Sequence, residues 1–415
     1  MSEKRIFDKA LLPDGWHDQV MIETDEYTIV DIQPNAQVTT DATVTNQFAV
    51  PGLTNVHSHA FQHAFAGHSE YRTNEHDSFW TWRSLMYQFV ESLTPDQVFE
   101  IAKTLYRRMK QAGYCSVGEF HYLLHRPDGK PFDNINAMAD ALINAAIDCE
   151  LDICMLPVLY QRGGFDDRPL VGGQTRFGSS TDLYLEMLTK LKTDWGGHPR
   201  VRLGVALHSL RAVSIKNATD VIEQVETILP ECPIHIHVAE QTKEVEDCVQ
   251  ANGKRPVQLL LDSMPVDKRW CLIHATHLTD SECQRIAKSQ AVVGVCPTTE
   301  ANLGDGIFRS EDYLQQGGAL AIGSDSHITV DPYEELRWLE YAQRLIQHRR
   351  AVLCTNDQSC GSLLYQWACR GGDQVTGFDH EIRIGASSNF TTLATEDHPA
   401  DPADRILDHR IFYSH

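Results

Sequence analysis

The sequence predicts an α/β protein: a (β/α)8 barrel with a small β domain formed by the N- and C-terminal segments. Three observations carry that expectation. Apolar runs of strand length alternate with helix-length amphipathic stretches through most of the chain, the signature of parallel strands joined by crossover helices. Eight such runs can be drawn, apolar on both faces, as strands covered by helices must be. The length, 415 residues, suits one barrel with a satellite better than a sandwich or a small bundle. The expected division is 1–49 with 376–415 for the small β domain and 50–375 for the barrel.

Taken in order, the first fifty residues alternate short extended pieces (4–11, 20–22 and 28–32) with turn residues such as Pro13-Asp14-Gly15, and so read as a small β unit. The barrel strands are expected at 48–57, 114–122, 152–160, 201–210, 233–239, 270–275, 291–296 and 319–324. Helix boundaries are clearest after the first strand. There Thr94 supplies an N-cap, Pro95 fits the first helical position, Gln97 stands three residues after the cap, and Gly113 ends the helix. Beyond about residue 375 the alternation stops, and 382–395 reads as extended segments able to join the N-terminal unit.

Composition narrows the function. Lys and Arg number 36 against 57 Asp and Glu, a net charge of −21, which argues against non-specific binding to nucleic acid or anionic membranes and leaves small molecules as partners. The N-terminus has no apolar core of a signal peptide, and no apolar run reaches the length of a membrane span. Eleven cysteines, with no C-x-x-C pair, fit reduced thiols, so a cytoplasmic location is expected.

Polar residues that are costly to bury gather at the strand ends, where barrels of this kind carry their chemistry. His57 and His59 are spaced by two, so an extended backbone points both to one face and lets them share a metal ion. The fifth strand offers His235 and His237 and then Glu240. Either imidazole could be a third ligand; His237 lies nearer the strand end and is favoured, which leaves His235 as an interior hydrogen-bonded residue. The sixth strand ends at His274 and the eighth at Asp325, a candidate oxygen ligand. Three imidazoles and a carboxylate, with a position left for water, suit one zinc-like Lewis acid that lowers the pKa of bound water towards about 7. Each of these residues could instead cap its own loop. Four strands ending this way together favour one hydrolytic centre.

The pattern His57-x-His59, His237 with Glu240, His274 and Asp325 resembles the amidohydrolase superfamily of metal-dependent barrel hydrolases, in its mononuclear aminohydrolase branch. The fourth strand, Val205-Ala206-Leu207-His208-Ser209-Leu210, has no lysine where binuclear members place a carboxylated one. The resemblance therefore implies one divalent ion per chain, zinc being usual. The segments 51–62, 119–122, 208–211 and 296–306 are similar to the formimidoylglutamate deiminases, a likeness extending over roughly residues 45–375. It implies hydrolysis of N-formimidoyl-L-glutamate to N-formyl-L-glutamate and ammonia, a step of histidine degradation. It further implies metal ligands at His57, His59, His237 and Asp325 and a catalytic pair at Glu240 and His274. Substrate contacts fall on Gln62, Arg83, Tyr122, His208 and Arg211. A homodimer is expected from the resemblance alone. Such chains usually continue some tens of residues past a segment like Arg410-Ile411-Phe412, whereas this one ends at His415, so a small β domain short of strands is expected.

The chemistry of that substrate asks for a bipolar site, because a dianion stands at one end and a cationic amidine at the other. Arg83 and Arg211 can fork onto carboxylates with Tyr122 and His208 as further donors, and Glu240 can face the amidinium. Asp325 or His274 can take the first proton from water; the sequence leaves both open. An aminohydrolase acting on a ring such as guanine would share the metal, Glu240 and His274 but would not need two arginines. A metal-free scaffold is disfavoured, since no ligand position is missing.

Overall fold

The computed structural model describes residues 2–68, 70, 78–395 and 402–413. The chain opens with five strands, β1 (Glu3–Leu12), β2 (Gly15–Thr24), β3 (Ile29–Gln33), β4 (Thr43–Val44) and β5 (Gln47–Val50). Eight of the next nine strands form the main ladder of the barrel: β6 (Leu53–Ser58), β7 (Tyr114–His121), β8 (Asp152–Leu159), β10 (Val205–Ser209), β11 (Ile234–Val238), β12 (Trp270–His274), β13 (Val292–Val295) and β14 (Ala319–Ile322). The short β9 (Val201–Leu203) pairs only with β8. Last comes β15 (Thr391–Ala394), which returns to pair antiparallel with β5.

Helices follow the strands. They are α1 (Phe79–Phe89), α2 (Pro95–Ala112), α3 (Ala137–Asp148), α4 (Thr181–Trp195), α5 (Ile215–Ile228), α6 (Thr242–Asn252), α7 (Pro256–Ser263), α8 (Asp280–Ser289), α9 (Pro297–Leu303), α10 (Ser310–Gln315), α11 (Pro332–Gln347), α12 (Cys360–Thr376) and α13 (Ile406–Phe412). None of those described is long and apolar enough to cross a membrane. The start and stop of α2 fall where the sequence placed them. The Gln97 N–H donates to Thr94 Oγ1 at 3.3 Å and the Thr94 N–H to Gln97 Oε1 at 3.0 Å, while Gly113 leaves the helix at φ 112°.

The parallel strands run in the order β6-β7-β8-β10-β11-β12-β13-β14, and a bridge between Ser58 and Asp325 brings the two ends together. The Asp325 N–H donates to the His57 carbonyl at 2.9 Å. Closure of the barrel and assembly of the candidate site are thus one event. Apolar side chains on the outer strand faces pack against the helices. A smaller cluster of Val56, Cys271, Ile273, Val292, Cys296, Ala321 and Val375 fills the interior below the strand ends.

Two of the expected strands are each divided. Residues 48–57 split at Pro51-Gly52: Gln47–Val50 joins the small sheet and Leu53–Ser58 the barrel. Proline lacks the donor a continuing ladder needs, and a Cβ on Gly52 would fall 2.6 Å from Cys115 Cβ. Residues 201–210 divide at Gly204, but both pieces, Val201–Leu203 and Val205–Ser209, stay in the barrel sheet and pair with β8.

The C-terminal segment also departs from the expected 376–415 unit, of which 396–401 and 414–415 lie outside the described residues. Only 391–394 contributes a strand among those described. Residues 406–412 form α13, which packs on α11 and α12 and sends Ile406, Leu407 and Ile411 into the barrel-side core. Apolar positions at i, i+1 and i+5 suit one helical face better than a strand. The small sheet is tied to the barrel near His380, whose Nδ1 donates to Asp373 Oδ1 at 2.6 Å. Burial opposes charging that ring, but Asp373 and Asp152 outweigh it and hold its pKa up at about 10.

Candidate active site

At the end of β6, period-two alternation brings His57 and His59 to one side, and both are buried. Glu119 fastens the turn that follows. Its carboxylate accepts from Ser58 Oγ at 2.6 Å, the Ala60 N–H at 2.7 Å and Tyr106 OH at 3.0 Å. Burial raises its pKa to about 7 against those donors.

His57, His59 and His237 bring ring nitrogens within 4.8 Å of one another. Asp325 Oδ1 stands 3.5 Å from His57 Nε2 and 3.3 Å from His59 Nε2. Three of the four residues chosen from sequence thus cluster, and Asp325 reaches two of them. It does so through a left-handed backbone at φ 44°, and His274 and Ala239 are likewise left-handed at 67° and 53°. Non-glycine residues in that region carry strain of order 1–3 kcal/mol each, and here it aims side chains inward from the strand ends. Gly323 must be glycine for a related reason: a Cβ there would lie 2.8 Å from His57 Cβ.

The donor set fits a metal ion. His59 Nδ1 donates to the Phe120 carbonyl at 2.8 Å and His237 Nδ1 to the His208 carbonyl at 3.0 Å, so both rings turn a bare Nε2 inward. His57 Nε2 and His237 Nε2 lie 2.9 Å apart, a separation two bare lone pairs hold only with a cation or proton between them. Burial depresses the pKa of all three rings, which keeps them in the neutral form that ligates. His235 is occupied elsewhere. Its Nε2 donates to the Val375 carbonyl at 2.7 Å, and it takes no part in the cluster.

Above this cluster a cavity is lined by His59, Gln62, Arg83, Tyr122, His208, Arg211, His237, Glu240, His274 and Asp325. All five residues taken as substrate contacts therefore face one space with the candidate catalytic groups. In this cavity His274 Nε2 lies 3.7 Å from Glu240 Oε1 and 3.9 Å from Asp325 Oδ2. Burial raises the Glu240 pKa to about 7, with His274 opposing the rise. His274 is pushed up to about 10, because Glu240, Glu300 and Asp325 outweigh its burial.

The same cavity is lined by Arg83 and Arg211. Arg211 is 6% exposed, and its Nε and Nη1 are buried with no hydrogen-bond partner among the described residues. Burial disfavours its charge, yet Glu244 and Tyr160 outweigh that and its pKa is raised. Gln62 donates from Nε2 to Tyr122 OH at 2.7 Å, and its buried Oε1 is also unpartnered.

Sequence reasoning missed three contributors. Trp80 on α1 sets its ring 4.6 Å from the Arg83 guanidinium carbon and 5.5 Å from that of Arg211, holding the pair together by cation–π contact. Tyr160 packs against the His208 ring at 4.5 Å between centroids. Glu300 reaches His274 from α9. Trp80 carries no sequence signal, since it acts from a helix outside the βα rhythm. Glu300 could have been found as an acidic residue in a run following a strand end.

Comparison with known proteins gives a consistent picture. The model of the amidohydrolase family matches residues 48–403. The chain is 44% identical over 378 residues to the formimidoylglutamate deiminase of Pseudomonas aeruginosa, spanning 89% of this chain and 81% of that protein. It is 22% identical to a 5-methylthioadenosine/S-adenosylhomocysteine deaminase of Haloarcula marismortui, over 88% of this chain and 77% of that one. Among solved structures, an amidohydrolase from Brucella melitensis superposes with a TM-score of 0.93 at 42% identity, covering 99% of this chain and 91% of the other. A zinc-bound adenosine deaminase from Xanthomonas campestris superposes at 0.81, covering 99% of this chain and 88% of the other; at 19% identity it bears on the fold alone.

Proposed function

The chain belongs to the amidohydrolase family, and from that premise we propose that it hydrolyses N-formimidoyl-L-glutamate to N-formyl-L-glutamate and ammonia. The observation that carries this reading is Arg211, a buried cation with two donors that have no hydrogen-bond partner among the described residues, in one cavity with Arg83 and Glu240. Glu244 offsets the charge of Arg211, but buried donors left without an acceptor are costly, and a carboxylate of the substrate would satisfy them with a forked pair. A neutral ring offers no such partner. The 44% identical relative named for this activity supports the same reading.

One divalent ion, zinc by its histidine and carboxylate donors, would be held by His57, His59, His237 and Asp325. When bound it supplies Lewis acidity and a water ionised near neutral pH. The chain's own residues perform the rest. Arg83, Arg211, Tyr122, His208 and Gln62 bind the two carboxylates and orient the chain between them. Glu240 holds the cationic amidinium and sets its carbon over the site. Asp325 accepts a proton at its carboxylate as oxygen adds to that carbon. His274 donates from Nε2 to the adding oxygen. Glu240, a carboxylate while it holds the amidinium, takes the proton that remains on that oxygen and delivers it to the terminal nitrogen, which leaves as ammonia as the C=O bond forms, and Asp325 returns its proton to solvent. The carbon keeps its bond to the glutamate nitrogen, so the formyl group stays.

A cytoplasmic location accords with the eleven free cysteines, and a homodimer with the family resemblance. The function itself is tested by ammonia release from N-formimidoyl-L-glutamate. The ligand set is tested separately by elemental analysis: one ion per chain is expected, lost on His237→Ala and retained on His235→Ala. The reverse ranking of these two variants would contradict the assignment.

A further inference from the structure

Resting on that reading and deepening it, we propose that Glu300 is a positioning residue of the reaction, one that accepts the Nδ1–H of His274 and aims Nε2 of that ring at the point where oxygen adds. Glu300 is buried on α9, and its Oε1 receives two donors, the Cys296 N–H at 2.9 Å and His274 Nδ1 at 3.2 Å. Oε1 already acts as an acceptor towards the Cys296 N–H, so Nδ1 is read as the donor. That fixes Nε2 as the nitrogen facing Glu240 and Asp325.

The ring needs such a hold. Rotation about the last torsion of histidine is soft, and the backbone turns out of β12 at its last residue, His274, and at Ala275, with φ of 67° and 48°. A contact to Nδ1 distinguishes the productive orientation from the flipped one, which would present carbon to Glu240. Charge points the same way. Capping the Cys296 N–H requires only an oxygen, which a neutral glutamine would supply at less desolvation cost. The ion-pair partner of Glu300 among the described residues is His274.

The helix that carries Glu300 is anchored without it. Thr298 donates its N–H at 3.0 Å and its Oγ1 at 2.5 Å to Glu335, and Thr299 Oγ1 donates to the Ser324 carbonyl at 3.2 Å. Removing the carboxylate should therefore leave the local fold in place. A competing use of the same atoms is a second ion, since His274, Cys296 and Glu300 bring ligand atoms within 4.8 Å of one another.

A double-mutant cycle separates these roles. Glu300→Gln is expected to lower kcat by about 10- to 100-fold with KM changed less than about twofold and one ion still bound. In a His274→Ala background the same substitution is expected to change kcat by less than about twofold, because the ring it positions is gone. Glu300→Asp, which keeps the charge but shortens its reach, is expected to lose kcat as well and guards against a folding defect of the glutamine variant. Additive losses in the cycle, an unchanged kcat in Glu300→Gln, or two ions in the wild type falling to one in the variant would each overturn the positioning role. If the wild type released no ammonia, the deiminase reading itself would fail; if it did, and only Glu300→Gln were silent, that reading would stand.

Discussion

Glu240→Gln is expected to lower kcat by about 10² to 10⁴ with the metal still bound. The change is isosteric, so the cavity and the metal cluster should be retained. Two things are lost together. The amide cannot carry a proton to the departing nitrogen, and it no longer offers a negative charge to the amidinium. Burial places the Glu240 pKa at about 7, where a carboxyl can both accept and release a proton at neutral pH. Steady-state ammonia release at measured metal occupancy checks the result, and near-normal turnover would remove Glu240 from the proton transfer.

Arg211→Met is expected to cost about 2–4 kcal/mol in kcat/KM, the scale for stranding one partner of a buried charge pair. The methionine fills the space of the stem but supplies no donor. Because the guanidinium is proposed to hold a carboxylate remote from the reacting carbon, most of the loss should appear at sub-saturating substrate, with part in kcat where orientation suffers. The metal content should not change. An unaffected kcat/KM for the acidic substrate would remove the argument against a neutral ring.

How much of this was legible beforehand differs by kind of feature. The histidine pair was legible because strand alternation has a period of two, so His57 and His59 share a face whatever the tertiary context. Asp325 and His274 were legible as polar residues ending apolar runs. Their left-handed backbones were not; those depend on how the loops leave a closed barrel. The run 48–57 reads as one strand because apolar residues continue through it, and only the two-sheet arrangement makes Pro51-Gly52 a division. Glu119 and Glu300 lie in segments that carry the resemblance but have no role legible there, and Glu335 has no signal at all, yet all three are buried and hold neighbouring polar groups. A buried carboxylate is recognised by its partners, and those lie far off in sequence or on another element. The helix 406–412 was missed because one short apolar face is weak evidence against a neighbouring β segment.

In the proposed reaction the terminal nitrogen of the amidine leaves while the formyl carbon stays on glutamate. A parallel assay of ammonia and formamide produced from N-formimidoyl-L-glutamate by the metal-loaded protein distinguishes this route from release of formamide. One ammonia per substrate consumed, N-formyl-L-glutamate in equal amount and no formamide are expected. Formamide with free glutamate, or no turnover of this substrate by protein that holds its metal, would contradict the proposed reaction.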